Sequence, residues 1–484
     1  MKSIKTNFIW NTVLKVSSII FPLIIYPYVS RTVGVDGIGR VSFAISVITY
    51  FSIISQLGIP TYGVRTVAQC AKDRDALSKT TQEIFRINIV TMIISYLILI
   101  VAVRIVPRFQ EDKLLLLIAS LEMVFNAIGM VWLFSGLEQY SYITKRSIAF
   151  KAISLILIFV FVHKPEDYLS YAAITVFSVV GSNIINLVYS RKFINYKHYD
   201  NRDYKKHLKP ILVFFLMSVA NTVYTSLDTI MLGFLANNKA VGLYTSATKV
   251  RSVLLGVINA LAIVMLPRSS YYIKQGLREE FVKISQKAFH FIVLISTATW
   301  IYFSFYAKEC ILLLSGYEFI DATRPMIWIL PTILICGISN LTAIQMLVSL
   351  GKEKSVLFSQ IVGAVIDFAL NALFIPQFGP SAAAASTMIA EFVILIIQVV
   401  FLHREGIQLK RNLKIYKVFT AIIIAFLASA WVKFVINSIF LRLIFSSILF
   451  FGTYAITLFF LRDHVFIGAL NDVTNMINGR LSRN

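Results

Sequence analysis

The chain has 484 residues, of which 57% are hydrophobic and 14% are charged, and its mean hydropathy is +0.76. These values exclude an ordinary soluble domain and are typical of a membrane protein. The formal net charge is +22. Most of the basic residues lie in short connections between apolar stretches, where topology and contact with anionic lipid explain them, so nucleic-acid binding is not expected.

Fourteen apolar stretches follow one another along the chain. Each is near the ~20 residues that a helix needs to cross ~30 Å of hydrocarbon. Backbone groups in lipid must bond within their own segment, so runs of this length predict helices and not strands. We therefore predict an all-α polytopic membrane protein with about 14 transmembrane helices. The predicted spans are residues 8–29, 41–59, 87–103, 114–135, 147–162, 169–189, 211–236, 242–266, 288–306, 325–348, 357–375, 381–402, 418–436 and 443–461.

The distribution of basic residues predicts the orientation of these spans. When both termini are placed in the cytoplasm, the inner connections carry roughly three times as many Lys and Arg residues as the outer ones. Lys2 and Lys5 precede the first apolar run, and no small-residue cleavage site follows it. We therefore interpret this run as the first span and not as a removed signal peptide.

The second half of the sequence repeats the first at an offset of 203 residues, which aligns Gly39 with Gly242. In span 1, and likewise in span 2, the polar residues lie on one face of the helix. The offset of 203 residues places the face of span 1 on span 7 and the face of span 2 on span 8. The face of span 2 comprises Ser42, Ser46, Thr49 and Gln56, which become Thr245, Lys249, Ser252 and Asn259. The face of span 1 comprises Asn11, Lys15, Ser18 and Pro22, which become Phe214, Ser218, Asn221 and Thr225, extended by Asp228.

The repeat predicts the domain organisation. Each copy holds six spans, an even number, so both copies start from the cytoplasm and are parallel repeats related by an axis along the membrane normal. We predict an N-lobe over residues 1–200, a C-lobe over 201–402, and spans 13 and 14 with a cytoplasmic tail over 403–484. The polar connection 191–209 is the predicted linker between the lobes.

We single out nine charged residues that lie in or beside the predicted spans. A charged side chain at the bilayer centre costs at least ~2.5–3.5 kcal/mol on insertion scales, so such residues usually face a cavity. For Arg40 and Lys433 the alternative is a side chain that reaches the membrane surface, and for Asp228 and Glu391 it is a fixed ion pair. The nine are Lys15, Arg40, Lys249, Arg251, Lys433, Glu122, Asp228, Asp367 and Glu391.

Sequence motifs of soluble enzymes are missing. The chain has no Walker A sequence, no HExxH and no GxSxG, and its histidines have no metal-ligand spacing. The glycine-containing run 34–39 lies between two spans and not after a strand, so it predicts no dinucleotide site. We therefore expect no cofactor, no metal site and no catalytic residue, and any driving energy must come from a gradient.

Three segments near the N-terminus carry a resemblance to a known family. Residues 27–34 (PYVSRTVG), 37–39 (GIG) and 57–65 (LGIPTYGVR) resemble the opening of the Wzx-type polysaccharide repeat-unit flippases of the multidrug/oligosaccharidyl-lipid/polysaccharide exporter superfamily. Residues 314–318 and 375–391 are also similar to that family, although 379–381 (GPS) depart from its glycine–alanine pattern.

The resemblance implies a function. Flippases of this family move an undecaprenyl-diphosphate-linked oligosaccharide from the inner to the outer leaflet of the bacterial cytoplasmic membrane by alternating access, for capsule or O-antigen polysaccharide. The implied partners are this lipid-linked substrate, the bilayer, and the polysaccharide polymerase and chain-length machinery.

The resemblance and the polar faces together assign candidate site residues. We expect the diphosphate to bind Lys15, Lys249, Arg31 and Arg251, and we expect hydrogen bonds to substrate from Asn221 and Asn259. Asp228 is the main candidate for coupling to an ion, and Glu122, Asp367 and Glu391 are further candidates.

Two alternative functions remain open at this point. The first is a related transporter, either a lipid II flippase or a cation-coupled drug antiporter, although Lys15 and Lys249 disfavour the acidic cavity of an antiporter. The second is a membrane polysaccharide polymerase or ligase, which is disfavoured because the longest outer connection, 307–324, is short.

Overall fold

A computed structural model describes residues 4–197, 199, 203–407, 415–468 and 471. All regular secondary structure in this part of the chain is helical. The chain forms two compact units, Met1–Thr245 and Ser246–Asn484.

The first unit begins with a long helix, α1, that holds the first two predicted spans. The helix has a kink at Gly34, between these two spans, where the chain changes direction. The φ of 74° at Gly34 is one that residues other than glycine rarely adopt. The helices of this unit are α1 (Ile4–Gln56), α2 (Ile59–Cys70), α3 (Arg74–Ile105), α4 (Pro107–Glu111), α5 (Lys113–Gly129), α6 (Val131–Gly136), α7 (Tyr140–Phe161), α8 (Tyr168–Val176), α9 (Asn183–Ser190), α10 (Lys205–Leu235) and the first residues of α11 (Asn238–Lys274).

The second unit contains the rest of α11 and the helices that follow it. A π-helical segment, Leu341–Val348, continues one of them. The helices are α12 (Arg278–Phe305), α13 (Ala307–Leu314), α14 (Thr323–Ile329), α15 (Thr332–Asn340), α16 (Glu353–Phe378), α17 (Pro380–Arg404), α18 (Ile415–Ala430), α19 (Val432–Val435) and α20 (Ile439–Phe460).

The helices confirm the predicted class of about 14 transmembrane helices. By length and hydropathy, eight helical segments of the described chain can each cross a membrane, and a ninth does so if the bent pair around residue 330 counts as one span. The first of these segments, Ile9–Cys70, has 62 residues and contains two predicted spans. Large apolar side chains on the outer faces are exposed, as lipid contact requires. The protein is therefore an all-α polytopic membrane protein.

The first part of α1, as far as Tyr28, lies parallel to α7. Hydrogen bonds from α1 to α7 and to the residues that flank it join residues whose numbers rise together, at a separation of 131 to 134 residues. Two parallel helices are expected here, because spans 1 and 5 must cross the membrane in the same direction if three spans lie between them. The bonds join Asn7 to Glu138, Thr144 to Trp10, Lys151 to Ser18 and Tyr28 to Val162.

The two copies of the repeat touch at a pair of glycines. A Cβ placed on Gly39 would collide with the carbonyl oxygen of Asn238, and one on Gly242 would collide with the carbonyl oxygen of Val35. The offset of 203 residues relates Gly39 to Gly242 and Val35 to Asn238, so the contact is reciprocal. A reciprocal contact is what a two-fold relation between the copies produces. The close approach of the two backbones explains why glycine occupies both positions.

A buried carboxylate holds the predicted linker between the lobes against α3. Glu83 is fully buried, and its Oε2 lies 2.8 Å from both Lys206 Nζ and His207 Nε2. Its Oε1 accepts a hydrogen bond from the backbone N–H of Asp203, and the hydroxyl of Tyr62 lies 2.7 Å from His207 Nδ1. The start of α10 is therefore fixed to α2 and α3 within the first unit.

The last two spans are attached to the second unit at two separate points. Glu309, which is 2% exposed, lies 3.1 Å from Arg442 Nη1 and 3.6 Å from Lys433 Nζ. Farther along the chain, the Asp463 carboxylate lies 2.9 Å from His290 Nε2. These ion pairs fix α19, α20 and the residue Asp463 that follows α20 against α12 and α13.

The reciprocal glycine contact gives a stability prediction. Replacement of Gly39 by Ala places a methyl group against the backbone of Asn238, which cannot move aside like a flexible side chain, so we expect the free energy of unfolding to fall by ~1–3 kcal/mol. Gly452→Ala is the matched control, because a Cβ there meets no atom within 4 Å. Thermal unfolding of the purified variants measures both. Equal unfolding midpoints for the two variants would contradict the close contact.

Candidate functional site

The predicted basic residues of the first unit lie on α1. Lys15 is exposed and lies one turn before Ser18, which is also exposed. Lys15 is seven residues after the start of the predicted span 8–29, or ~10 Å along the helix axis, so it lies well inside the span. Arg31 is exposed as well, and its Nη1 donates a hydrogen bond of 2.5 Å to the carbonyl oxygen of Pro27.

A further lysine, Lys151, lies in the predicted span 147–162 and is not among the nine charged residues chosen from the sequence. The side chain is buried, and its Nζ donates to the hydroxyl oxygen of Ser18 over 2.7 Å. The sequence contains a signal for it, since a lysine within an apolar stretch meets the same criterion that identified Lys15.

A group of amide side chains lies near Glu122, which is half-buried on α5. Asn126, one turn on, accepts a hydrogen bond of 3.3 Å from Asn183 Nδ2. Asn186, one turn after Asn183, donates to the carbonyl oxygen of Gly129 over 2.6 Å. Asn183 and Asn186 are both buried, so these bonds hold α9 against α5.

Asp228, the main candidate for ion coupling, is 8% exposed on α10. The hydroxyl of Tyr244 donates a hydrogen bond to its Oδ2. Asn221 and Asn259 lie on α10 and α11, but their side chains fall outside the described part of the structure. Their predicted contacts with substrate stay predictions.

In the second unit, Arg251 contacts a buried polar group on α15 and α17. Its Nε donates to Thr332 Oγ1 over 2.6 Å, and its Nη2 lies 3.6 Å from Glu391 Oε1. Cys336 Sγ lies 3.3 Å from the same Nη2 and 2.8 Å from Glu391 Oε1. The charges of Arg251 and Glu391 therefore compensate each other. Lys249, two residues before Arg251, is half-buried and lies ~200° away around the helix.

A second polar group in this unit was not predicted. Gln398 Oε1 accepts hydrogen bonds from Ser339 Oγ over 3.0 Å and from Thr342 Oγ1 over 2.6 Å. Thr342 belongs to the π-helical segment Leu341–Val348, and π-helical turns occur frequently at functional sites. Asp367 and Asn371, one turn apart on α16, are both buried.

Two of the predicted intramembrane cations form ion pairs near the ends of their helices. Arg40 lies 2.7 Å from Asp36 Oδ2 and 2.8 Å from Asp112 Oδ1. Lys433 lies near Glu309 and donates to the carbonyl oxygen of Phe305 over 3.1 Å. These pairs link neighbouring helices within each unit, so Arg40 and Lys433 have structural partners.

Comparison with known proteins identifies the family. Residues 4–273, more than half of the chain, match the family described as "Polysaccharide biosynthesis protein". The chain belongs to the polysaccharide biosynthesis protein family. This result confirms the resemblance that residues 27–34 and 57–65 show in the sequence.

Relatives in this family include two bacterial proteins that carry the name O-antigen transporter. The protein from Escherichia coli K12 is 23% identical over 384 residues, which cover 77% of this chain and 91% of the relative. The protein from Shigella dysenteriae is 22% identical over 397 residues, which cover 81% of this chain and 98% of the relative.

Two solved structures show the same fold. The lipid II flippase MurJ in an inward closed conformation has a TM-score of 0.73 at 16% identity, and the match covers 94% of this chain and 99% of the flippase. An inward-facing multidrug resistance MATE transporter has a TM-score of 0.65 at 14% identity and covers 82% of this chain and 96% of the transporter. At these identities the likeness shows the fold alone.

The contact between Arg251 and Glu391 gives a second prediction. Removal of one member of a buried ion pair leaves an uncompensated charge, which typically costs ~3–5 kcal/mol. We expect Arg251→Leu and Glu391→Leu each to lower the thermal midpoint of the purified protein strongly. The double variant should recover much of this loss. If the two single effects simply add in the double variant, the two side chains do not compensate each other.

Proposed function

We propose that the protein translocates an undecaprenyl-diphosphate-linked oligosaccharide from the inner to the outer leaflet of the bacterial cytoplasmic membrane, for capsule or O-antigen polysaccharide. The observation that carries this proposal is the exposed Lys15 well inside a membrane span of a chain from the polysaccharide biosynthesis protein family. A cation at this depth is costly in lipid, and a ligand that carries phosphate groups compensates it.

The chemistry of the substrate fits the polar groups of both units. Lys15, Arg31 and Lys249 supply positive charge, which attracts a diphosphate far more strongly in a low-dielectric surrounding than in water. Asn126 is partly exposed on α5 and can bond to sugar hydroxyls, whereas Asn183 and Gln398 are buried and bond to protein groups. Arg251 is compensated by Glu391, so its charge becomes available to a substrate only if that pair separates.

The driving energy in this proposal is an ion gradient. A buried carboxylate can bind a proton or Na⁺ in one facing state and release it in the other, which returns the empty carrier without ATP. Asp228 is the proposed coupling group, since it is buried in a span and bonds to the hydroxyl of Tyr244. Glu122 and Asp367 are alternatives, whereas Glu391 already has a cation beside it.

A lipid II flippase is the second candidate function. The observation that favours it is the structural match to the lipid II flippase over 94% of this chain. Both candidates involve a lipid diphosphate, and the glycan distinguishes them. Expression in cells depleted of their lipid II flippase tests this alternative, because rescue of growth would favour it over the O-antigen or capsule substrate.

The proposed topology places both termini in the cytoplasm and gives a labelling prediction. In a variant without Cys70, a cysteine at the exposed Lys239 should react with an impermeant thiol reagent added to intact cells, because 239 lies in an outer connection. A cysteine at the exposed Lys197 should react only after the membrane is opened. Equal labelling of both positions in intact cells would contradict the fourteen-span topology.

The proposed role of the lysines gives a prediction for polysaccharide export. Lys15→Gln and Lys249→Gln should each lower surface polysaccharide by about tenfold, which corresponds to the loss of ~1.4 kcal/mol of interaction with the diphosphate. Lys239→Gln, at an exposed outer position, is the matched control and should leave export unchanged. Surface polysaccharide is measured at equal protein levels. Full export by the Lys15/Lys249 double variant would remove both lysines from the mechanism.

The proposed role of Asp228 gives a prediction for coupling. In proteoliposomes that contain the lipid-linked glycan, an imposed pH or Na⁺ gradient should speed translocation by the native protein and have little effect on Asp228→Asn. Asp321→Asn, at an exposed position, is the control and should respond like the native protein. A full response of Asp228→Asn to the gradient would show that another group couples transport.

A further inference from the structure

Lys151 lies inside the predicted span 147–162, on helix α7 (Tyr140–Phe161). It is four residues, or ~6 Å, from the start of that span. Its partner Ser18 lies ten residues, or ~15 Å, into the predicted span 8–29, so the ammonium is well inside the hydrocarbon. Lys151 is 8% exposed, so its long side chain does not extend to water along the helix surface.

The partners of the Lys151 ammonium are neutral hydroxyl groups. Its Nζ lies 2.7 Å from Ser18 Oγ and 3.4 Å from Ser17 Oγ. Both serines donate their own hydroxyl hydrogen to the carbonyl oxygen of Leu14, over 2.7 and 2.9 Å, so their lone pairs are available to the ammonium. Two hydroxyl groups fix the position of the ammonium but do not compensate its charge.

Three other cations in or beside the spans have acidic partners. Arg40, Arg251 and Lys433 each lie within 4.0 Å of a carboxylate oxygen. Among the described residues, no carboxylate lies that close to Lys151 Nζ. A buried cation without a compensating anion is costly. An anion from outside the chain would remove that cost.

The ammonium is held at the edge of an exposed polar face. Ser18, its nearer partner, is exposed on α1, and Lys15 is exposed one turn earlier on the same face. Two cations therefore lie close together at similar depth, one exposed and one held just beneath the surface by a hydroxyl group. A ligand with two adjacent phosphate groups matches two adjacent cations.

We propose that Lys15, Ser18 and Lys151 form a binding site for the diphosphate group of an isoprenoid lipid, with Lys151 as its buried cation. This site rests on the proposed function, which it deepens by naming where the first unit holds the phosphates. Ser17 and Ser18 position the ammonium, and the Nζ–Ser18 bond can be exchanged for a bond to a phosphate oxygen with little movement.

The test measures binding of a short isoprenoid diphosphate to the purified protein. Farnesyl diphosphate should raise the thermal midpoint of the native protein, and farnesol, which has the same chain without phosphate, should not. Lys151→Gln keeps a hydrogen-bonding group for Ser18 but removes the charge, and it should weaken the affinity for farnesyl diphosphate at least tenfold. Lys151→Arg should restore most of the affinity. Lys145→Gln is the control, because Lys145 is exposed on the same helix, and it should bind like the native protein.

Three outcomes would overturn the proposal. If Lys151→Gln lowers the midpoint of the free protein but keeps the full shift with farnesyl diphosphate, Lys151 only links α1 to α7. If farnesyl diphosphate does not stabilise the native protein, no such site exists. If phosphatidylglycerol in mixed micelles abolishes the shift at equimolar amounts, the site belongs to phospholipid headgroups.

The same measurements separate this site from the proposed function. Binding of farnesyl diphosphate that depends on Lys151, in a protein whose proteoliposomes do not move lipid-linked glycan, would support the site and refute the proposed transport. Transport by the native protein together with unchanged transport and binding by Lys151→Gln would support the function and refute the site.

Discussion

The cost of placing charge in hydrocarbon is the constraint on which the arrangement of this protein depends. A charged group at the bilayer centre costs at least ~2.5–3.5 kcal/mol on insertion scales, so each one is expected to pair with an opposite charge or to serve a function. Arg40 and Arg251 each lie beside a carboxylate, and Glu309 lies between two cations. These pairs connect helices. Lys15 and Lys151 have a different arrangement, since one is exposed and the other is buried and held by hydroxyl groups.

The repeat in the sequence has a physical counterpart in the reciprocal contact of Gly39 and Gly242. Each glycine allows the backbone of the other copy to approach closely, and a side chain at either position would separate the two helices. The linker adds a second attachment, because the buried Glu83 carboxylate holds His207 and Lys206 at the start of α10. The seventh span is thus fixed to the first unit near its beginning, although it belongs to the second copy of the repeat.

The spans and their order could be predicted from the sequence, because apolar length and basic connections are local properties. The glycines at 39 and 242 were also visible as a repeat. The partners of charged residues were not predictable in the same way, since Arg251 and Glu391 are 140 residues apart and Lys151 and Ser18 are 133 apart. Lys151 was not predicted as a site residue, because it belongs to none of the polar faces that the repeat relates. The carboxylate of Glu83 lies outside the apolar stretches, and only the fold shows that it is fully buried.

The central claim is that the protein moves a lipid diphosphate with its glycan across the bilayer. The direct measurement uses proteoliposomes with an undecaprenyl-diphosphate-linked oligosaccharide placed in one leaflet, and follows the fraction of glycan that an impermeant glycosidase can cleave from the opposite side over time. The account predicts that this fraction rises with the native protein and not with lipid vesicles alone, and that a neutral undecaprenyl-linked glycan without phosphate moves much more slowly. Equal rates for the charged and the neutral lipid, or no rise above protein-free vesicles, would contradict it.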